Sequence, residues 1–299
     1  MLAQLPNRSI VPQPRLEAAM YSNVQPTKKM ISIIIPTLNA DALLADTLDS
    51  IANQIDPPDF EAIIVDGEST DDTIAVAQSY QTKIEYLRII SRPDNNCRDG
   101  MIDGLRCSHG EFQTFLMAGD TYFPNALRQI ETFFATNPSA NWVTGQKCVK
   151  RNGILEYKAN PSFNRRMIRC GLYGTYLPFI QAEGTFWRAS LSALINFKQL
   201  DQLFLATDYY IWFCFAKKHD LYVCDKPIGC FLIHEGQISS DKSGYRSELR
   251  NYSEKLQITD IPIFISTFCK SVLAHIKFNF RPLLCTEHYR KLTRMLCSK

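Results

Sequence analysis

The sequence predicts an α/β protein with a doubly wound, mostly parallel sheet. From residue 31 to residue 137, short apolar runs rich in β-branched residues alternate with amphipathic helical segments. Apolar strands of this kind are buried on both faces, and their regular alternation with helices is typical of parallel sheets. After residue 137 the alternation ends and a hairpin-like segment follows, so we expect a second part with a different topology.

The first part contains four strand and helix pairs. The predicted strands cover residues 31–36, 60–66, 84–91 and 111–117, and the predicted helices cover 40–54, 69–80, 97–107 and 124–137. In the first helix, apolar spacing places one face against the sheet, with Leu43, Leu44, Thr47, Leu48 and Ile51. Ser69 or Thr70 suits the N-cap of the second helix, and Pro124 suits the first turn of the fourth.

The second part is predicted from turn residues and apolar runs. We expect a hairpin over residues 141–159, because Asn152-Gly153 accepts the positive φ angles of a tight turn. Further predictions are a helical stretch near 163–171, a helix over 207–219, a strand pair over 220–234 and a helical, basic segment over 258–299.

The predicted topology brings several distant loops together. Right-handed crossovers place the C-terminal ends of parallel strands on one edge of the sheet, where ligands of open α/β proteins bind. The loops expected at this edge are 36–39, 66–69, 91–99 and 119–120. Asp120 draws particular attention there, since a charged residue directly follows the apolar run that ends in Ala118-Gly119.

Composition narrows the class of protein. The chain has 299 residues, of which 45% are hydrophobic and 21% charged, and its formal net charge of +3 gives no indication of a nucleic-acid partner. Its ten cysteines form no CxxC pair, so we expect reduced thiols and a cytoplasmic location. Residues 1–30 contain four prolines and no apolar run, which predicts a flexible leader rather than a secretory signal.

Six segments, in this order, resemble glycosyltransferase family 2, whose members are inverting enzymes with the GT-A fold. They are ISIIIPTLNADALLADTLDSI, IIVDGESTDDT, RPDNNCRDGMIDGL, GEFQTFLMAGDTYFPNAL, QAEGTFWRASL and ATDYYIWFCFA, and they span roughly residues 31–235. Each fragment alone is a weak signal, whereas six in order are specific. The resemblance implies a nucleotide-sugar-binding half at 31–137 and an acceptor-binding half at 138–257, followed by the tail at 258–299.

The resemblance assigns donor-binding positions to the predicted sheet edge. The positions that match are Pro36, Thr37, Asn39, Asp66, Gly67, Asp99 and Gly119. A purely structural interpretation stays open for several of them. Pro36 suits the end of a strand, Asn39 suits a helix cap, and Asp66 suits an Asx-turn.

The resemblance also implies a metal site, which is reduced in this sequence. The family holds Mg²⁺ or Mn²⁺ with an Asp-X-Asp motif, and the cation neutralises the leaving diphosphate. Here Met117 and Gly119 stand at the first two acidic positions, and Asp120 alone keeps its carboxylate. His234 matches a later position near the phosphates or the metal. A turn that only ends the strand is the alternative interpretation of Asp120.

The acceptor side has a predicted base. Inverting transfer requires a group that takes the proton of the acceptor hydroxyl, and Asp208 in ATDYYIWF matches the base of the family. An N-cap aspartate is the alternative interpretation of Asp208. The helix that follows has a predicted apolar stripe of Tyr209, Trp212, Phe213 and Ala216. On the same side, Glu183 matches a position that orients the acceptor, while Trp187 is placed there more as packing than as a sugar platform.

The sequence therefore predicts an enzyme that moves a sugar from a nucleotide-sugar, most commonly a UDP-sugar, to a saccharide or lipid-linked glycan. We expect this enzyme to act in polysaccharide or lipopolysaccharide synthesis and to be located in the cytoplasm. The basic, apolar segment over 258–299 suggests contact with an anionic membrane surface. One alternative is a degenerate GT-A domain that binds without turnover. Another is a nucleotidyltransferase, although PTLNADAL lacks the basic phosphate loop expected of that class.

Overall fold

The computed structural model describes residues 30–284 apart from 95, 159, 161 and 162. The predicted leader, except for Met30, and the end of the predicted tail lie outside the described residues. The strands are β1 (Ile31–Thr37), β2 (Phe60–Asp66), β3 (Leu87–Ser91), β4 (Phe112–Phe115), β5 (Thr121–Tyr122), β6 (Trp142–Arg151), β7 (Ile154–Lys158), β8 (Thr185–Arg188), β9 (Tyr222–Pro227) and β10 (Gly229–Ile233). The α-helices are α1 (Asp41–Ala52), α2 (Thr73–Ser79), α3 (Cys97–Cys107), α4 (Ala126–Thr136), α5 (Arg165–Arg169), α6 (Phe197–Leu200), α7 (Thr207–Ala216), α8 (Lys242–Tyr252) and α9 (Ile261–Leu284).

The strands form one curled, mixed sheet in the described part of the chain, with the order β3-β2-β1-β4-β8-β6-β10-β5. The four strands β3, β2, β1 and β4 are parallel, as predicted. Helices cover both faces of this sheet. Ile33 and Ile35 of β1 pack in one apolar cluster with α1, whereas Ile34 packs in the other with α3 and α7. Successive side chains of a strand point to opposite faces, so a strand buried on both sides has to be apolar throughout.

The second part of the sheet differs from the predicted strand pair over residues 220–234. β9 and β10 do not pair with each other; both run parallel to β6, one after the other along its length. The chain keeps its direction through Ile228, and Gly229 lies so close to the Glu183 backbone that an added Cβ would come within 2.4 Å of the Glu183 carbonyl oxygen. The predicted hairpin over 141–159 is confirmed as β6 and β7, with positive φ at Asn152 and Gly153.

Three predicted helix details are wrong. α2 begins at Thr73, because the Ser69 hydroxyl instead bonds to Asp66 and accepts the Asn39 amide. α4 begins at Ala126, so Pro124 precedes the helix. α7 has no single apolar stripe; nine of its ten residues are buried, because it packs between α5, α8 and the sheet. A helix buried all round has to be apolar on every face.

α9 confirms a helix in the segment predicted at 258–299, and an ion pair fixes its start. The Arg166 guanidinium on α5 donates to both carboxylate oxygens of Asp260, at 3.0 and 2.7 Å. Beyond this anchor, α9 exposes apolar side chains, among them Ile261, Ile265 and Phe268. In the described part of the chain, none of the helices combines the length and apolar character needed to cross a bilayer.

Candidate active site

The ends of β1 and β2 meet as predicted, through hydrogen bonds between their loops. The Gly67 amide donates to the Thr37 carbonyl at 2.9 Å, and the Asn39 amide donates to the Ser69 hydroxyl at 2.8 Å. Asn39 has a φ of 48°, and its side-chain oxygen accepts the Thr70 amide at 2.9 Å. Asn39 therefore joins two loops, and the cap interpretation is wrong because α1 has Ala40 at its N-cap.

Asp66 is the centre of this loop cluster. Its side chain is buried and accepts hydrogen bonds from the Ser69 amide and hydroxyl and from the Ser91 hydroxyl. The bond from the Ser69 amide reaches three residues along the chain, one more than in the predicted Asx-turn, so Asp66 stabilises the turn with a different spacing. The same bonds also fix the carboxylate at the strand edge, where the donor-binding interpretation places it. The two roles are compatible.

Pro36 and Gly100 bring α3 onto the same edge. A Cβ added to Gly100 would lie 3.0 Å from the Pro36 Cβ, so a larger residue there would force α3 and Pro36 apart by a few tenths of an ångström. Asp99, in the first turn of α3, forms an ion pair with Arg98 at 2.7 Å. Arg98 also donates to the Asp201 and Leu203 carbonyls, which ties the start of α3 to the loop before α7.

Asp94 belongs to this edge, although the sequence analysis singled out only Asp99 from its loop. The Asp94 Oδ1 atom is buried and has no hydrogen-bond partner among the described residues. A Cβ on Gly67 would lie 2.6 Å from that oxygen, so the two residues face each other directly. Burial, together with the charges of Asp99 and Asp66, raises the pKa of Asp94 to about 6. Its position after a parallel strand was the available signal.

Asp120 lies in the turn between β4 and β5, because β4 ends at Phe115, earlier than the predicted strand end. Its Oδ1 atom accepts the Leu232 amide at 2.8 Å, and the Thr47 hydroxyl donates to its carbonyl at 2.8 Å. The preceding Gly119 has a φ of 95°, which favours glycine, and the Asp120 side chain that follows it is buried. Burial and the neighbouring Glu183 raise the pKa of Asp120 well above its ordinary value.

The residues fit a cation carried by a substrate better than a preformed metal centre. Within the described ranges, no three His, Cys, Asp or Glu side chains come together as a metal site. Asp120 keeps one carboxylate oxygen that no backbone amide occupies. Mg²⁺ commonly takes one or two carboxylates and completes its octahedron with phosphates and water. His234 is exposed, and its Nδ1 atom lies 2.8 Å from the Glu235 carbonyl oxygen.

Glu183 lies close enough to interact electrostatically with both Asp120, the proposed metal ligand, and Asp208, on the acceptor side. It is 2% exposed, its Oε1 atom has no hydrogen-bond partner in the described part of the chain, and its charge interacts with Asp120, Asp208 and Lys147. Burial is the main cause that raises its pKa to about 8, so it holds a proton at neutral pH. Trp187, predicted on the same side, is fully buried and donates to Gln113 at 3.0 Å. It is core packing, out of reach of an acceptor.

Asp208 lies in the first turn of α7 and is a candidate base. The N-cap of α7 is Ala206, so the alternative interpretation of Asp208 as the cap is wrong. Burial raises the pKa of Asp208 to about 6, and hydrogen bonds from the Tyr209 amide and the Tyr245 side chain oppose this shift. A carboxylate with this pKa is ionised at neutral pH and still accepts a proton readily.

α8 positions Asp208, which the sequence analysis missed. The Glu248 carboxylate accepts three consecutive backbone amides just before α7, from Phe204, Leu205 and Ala206, at 2.8 to 2.9 Å. Tyr245, on the same helix, donates to Asp208 itself. No local pattern in α8 indicates this role, because its partners lie some forty residues earlier in the chain.

We expect the substitution Glu183→Gln to change how stability depends on pH. Glu183 binds a proton up to about pH 8 in the folded state, against a reference value of 4.5. The folded state thus holds more protons between these values, and the stability contributed by neutral Glu183 is lost as the pH rises through about 8. A neutral glutamine removes this loss, so Glu183→Gln should melt above the wild type at pH 9.

Thermal denaturation at pH 5, 7 and 9, in EDTA, measures this difference. The exposed Glu235→Gln serves as the control and should follow the wild-type profile. Identical pH profiles for wild type and Glu183→Gln would show that Glu183 is ionised in the folded protein.

Comparisons with known proteins agree with the geometry. Residues 32–216 match the model of the family described as Glycosyl transferase family 2. A "PGL/p-HBAD biosynthesis glycosyltransferase" of Mycobacterium bovis is 33% identical over 162 residues, which cover 50% of this chain and 63% of that protein. A "GalNAc(5)-diNAcBac-PP-undecaprenol beta-1,3-glucosyltransferase" of Campylobacter jejuni is 26% identical over 199 residues, covering 64% of this chain and 62% of that protein.

Solved structures show the same fold. TarS 1–349 of Staphylococcus aureus, in complex with UDP-GlcNAc, superposes with a TM-score of 0.58 at 18% identity. The superposition covers 88% of this chain and 77% of the TarS chain. The predicted GT-A architecture is confirmed by this likeness. The chain spans somewhat less than two thirds of the length of the curated relatives named above.

Proposed function

Since the chain belongs to glycosyl transferase family 2, we propose that it transfers one sugar from a nucleotide-sugar donor to a glycan acceptor with inversion. The observation that supports this proposal is that Asp120 and Asp208, which come from different halves of the fold, both interact with the buried Glu183. Asp120 follows the donor half of the sheet, and Asp208 begins a helix of the acceptor half. Transfer requires a site of this kind, where the leaving diphosphate and the attacking hydroxyl are served from two sides.

The donor half would hold the nucleotide between its loops. Asp66 and Asp94 lie at the ends of neighbouring parallel strands, with the small Gly67 between them. The buried Asp94 oxygen without a partner would accept a hydrogen bond from the base or the ribose, which removes the cost of leaving it unpaired. We propose a UDP-sugar as the donor.

Asp120 would hold Mg²⁺ or Mn²⁺ together with the donor diphosphate. The cation would supply positive charge that stabilises the leaving group. The protein contributes a carboxylate fixed by the Leu232 amide, so its orientation does not depend on the ligand. Burial raises the pKa of both Asp120 and Glu183, so binding of the cation would release the proton from Asp120.

Asp208 would take the proton of the acceptor hydroxyl. The acceptor oxygen forms a bond to the anomeric carbon from the face opposite the diphosphate, while the bond from that carbon to the diphosphate oxygen breaks. The proton passes to Asp208, and the bonding electrons leave with the nucleoside diphosphate. Tyr245 and the Glu248 contacts keep the carboxylate in place, which reduces the entropic cost of the encounter.

The relatives suggest the class of acceptor. Their names describe PGL/p-HBAD biosynthesis in Mycobacterium bovis and a beta-1,3-glucosyltransferase for GalNAc(5)-diNAcBac-PP-undecaprenol in Campylobacter jejuni. We propose a saccharide or a lipid-linked glycan of a bacterial surface polysaccharide as the acceptor here. The enzyme would act in the cytoplasm, on the inner face of the membrane.

Donor hydrolysis by the purified protein tests the reaction itself. We expect slow release of UDP from a UDP-sugar, faster with Mn²⁺ than with EDTA, since water replaces a missing acceptor. A domain that binds without turnover is favoured by one observation, the loss of two acids at Met117 and Gly119. Nucleotide binding without hydrolysis or transfer, across a panel of sugars, would establish that second function.

The exposed apolar side chains of α9 predict binding to a membrane surface. We expect the variant Ile265→Ser/Phe268→Ser to bind anionic vesicles at least about thirtyfold more weakly than the wild type, since two lost apolar contacts of on the order of 1–2 kcal/mol each weaken binding by about 2–4 kcal/mol. Co-sedimentation with vesicles measures this.

The control for this prediction is Ile154→Ser/Leu155→Ser in the exposed β6–β7 hairpin. It removes similar apolar surface at a different place and should leave vesicle binding unchanged. Equal losses in both variants would place the membrane contact elsewhere.

A further inference from the structure

A cavity of about 440 Å³ lies on the acceptor side, and none of the donor-binding positions lines it. One wall is formed by α8 and the residue that follows it, with Arg246, Arg250 and Ser253. The opposite wall is the turn after α5, with Gly171 and Tyr176. We call this cavity the α8 pocket.

The spacing of these residues places the pocket on one face of α8. Arg246, Arg250 and Ser253 follow each other at i, i+4 and i+7, so their side chains leave the helix in the same direction. Tyr245 and Glu248 lie on the adjacent face, which holds Asp208 and the loop before α7. The pocket and the candidate base are thus fixed to two sides of the same short helix.

The pocket has positive charge that the protein does not neutralise. In residues 30–284, as far as they are described, no carboxylate lies within 4 Å of the Arg246 or Arg250 guanidinium. Glu248, between them in sequence, is committed to the three amides before α7. Two cations at i and i+4 repel each other, so this pair is destabilising unless an anion lies between them.

The floor of the pocket offers a further polar group. The Ser253 Oγ atom is buried and has no hydrogen-bond partner in the described part of the chain. It faces the bare side of Gly171, whose φ is 69° and where an added Cβ would come within 2.4 Å of that oxygen. Leaving a buried hydroxyl without a hydrogen-bond partner costs free energy. A ligand oxygen that accepts a hydrogen bond from Ser253 would remove this cost.

The opposite wall is a rigid turn. The Thr175 hydroxyl donates to the Gly171 carbonyl at 2.9 Å, and the Tyr176 amide donates to the Leu172 carbonyl at 3.0 Å. Tyr176 itself is 73% exposed at the edge of the pocket. Its position is therefore set by backbone hydrogen bonds, and its ring is open to a ligand.

From these contacts we infer that the α8 pocket binds a phosphate or diphosphate ester of the acceptor. Planar guanidinium groups bind phosphate oxygens in pairs, and the Ser253 hydroxyl adds a donor at the floor. Tyr245, the neighbour of Arg246 in α8, interacts with Asp208, so α8 connects the pocket to the candidate base. The inference of an anion site depends only on the residues of the pocket. The inference that the anion belongs to the sugar acceptor rests on the proposed function.

Titration calorimetry with inorganic diphosphate tests the site in the full-length protein. The buffer contains EDTA, so that no divalent cation holds diphosphate near Asp120. We expect Arg246→Gln/Arg250→Gln to bind diphosphate about tenfold more weakly than the wild type or worse, since two charge-assisted contacts are lost. Lys83→Gln/Lys198→Gln removes the same charge from exposed positions outside the pocket and should bind like the wild type.

Equal affinity of the arginine variant and the wild type would overturn the site. An equal loss in both double variants would also overturn it, because the effect would then come from net charge. Melting temperatures of the wild type and both double variants test for unfolding, which we do not expect because the substituted side chains are exposed.

Vesicles distinguish a lipid headgroup from a soluble phosphate ester. We expect the arginine variant to co-sediment with phosphatidylglycerol vesicles like the wild type, because membrane contact is expected on α9. Weaker vesicle binding with unchanged diphosphate affinity would overturn the acceptor site. Donor hydrolysis by the wild type is measured in parallel, and its absence would count against the proposed function without affecting the anion site.

Discussion

Asp208→Asn is expected to lower kcat for sugar transfer by about 10² to 10⁴, the usual contribution of a general base. Asparagine keeps the size of the side chain and an oxygen that accepts the Tyr209 amide and the Tyr245 side chain. It cannot take up the proton of the acceptor hydroxyl. Donor affinity should remain within a few-fold of the wild type, since the donor loops lie on β1 to β4.

The pH dependence of the wild type gives an independent check. Burial raises the pKa of Asp208 to about 6, and only the ionised form accepts a proton. We therefore expect kcat to fall as the pH drops through about 6. The slope should disappear in Asp208→Asn, whose remaining activity does not depend on this group.

Transfer rate and melting temperature are measured together, with the exposed Asp201→Asn as the matched control. The control should retain wild-type turnover. Near-normal turnover in Asp208→Asn would remove Asp208 from the mechanism and direct attention to Glu183. Glu183 is the weaker candidate, because it holds its proton up to about pH 8.

Asp120→Asn is expected to abolish the Mn²⁺-dependent part of nucleoside diphosphate binding. The carboxylate is the protein ligand that we propose for the cation, and a neutral amide oxygen is a much weaker ligand for Mg²⁺ or Mn²⁺. The fold should be retained, because the amide oxygen of asparagine still accepts the Leu232 backbone amide.

Asp120→Ala separates structure from metal binding. Alanine leaves the Leu232 amide without its partner, which costs about 1–3 kcal/mol for a buried donor. We expect Asp120→Ala to melt below Asp120→Asn, while both lose the effect of Mn²⁺. Calorimetry with UDP, in Mn²⁺ or in EDTA, measures the binding.

Asp225→Asn, an exposed acid on β9, is the control and should bind UDP with the wild-type response to Mn²⁺. A wild-type gain in UDP affinity from Mn²⁺ in Asp120→Asn would exclude Asp120 as a metal ligand. The interpretation of Asp120 as a turn residue would then stand alone.

The sequence by itself determined the parallel half of the fold and predicted the edge of its sheet as the place where a ligand binds. Both follow from local patterns, since apolar strands alternate with helices and the handedness of crossovers places their C-terminal ends together. Asp66 and Asp120 were predicted at this edge because each follows an apolar run. For the same reason Asp94 was within reach of sequence reasoning.

Only the tertiary structure determined the pKa values and positions that distinguish Glu183 and Asp208 from the other acidic residues. The pKa of Glu183 depends on burial among segments that are distant in the chain, and Asp208 is positioned by contacts from α8. The parallel pairing of β9 and β10 with β6 could not be predicted from the sequence either. No local period or spacing encodes such contacts, because burial and charge at a site are set by whichever distant side chains pack around it.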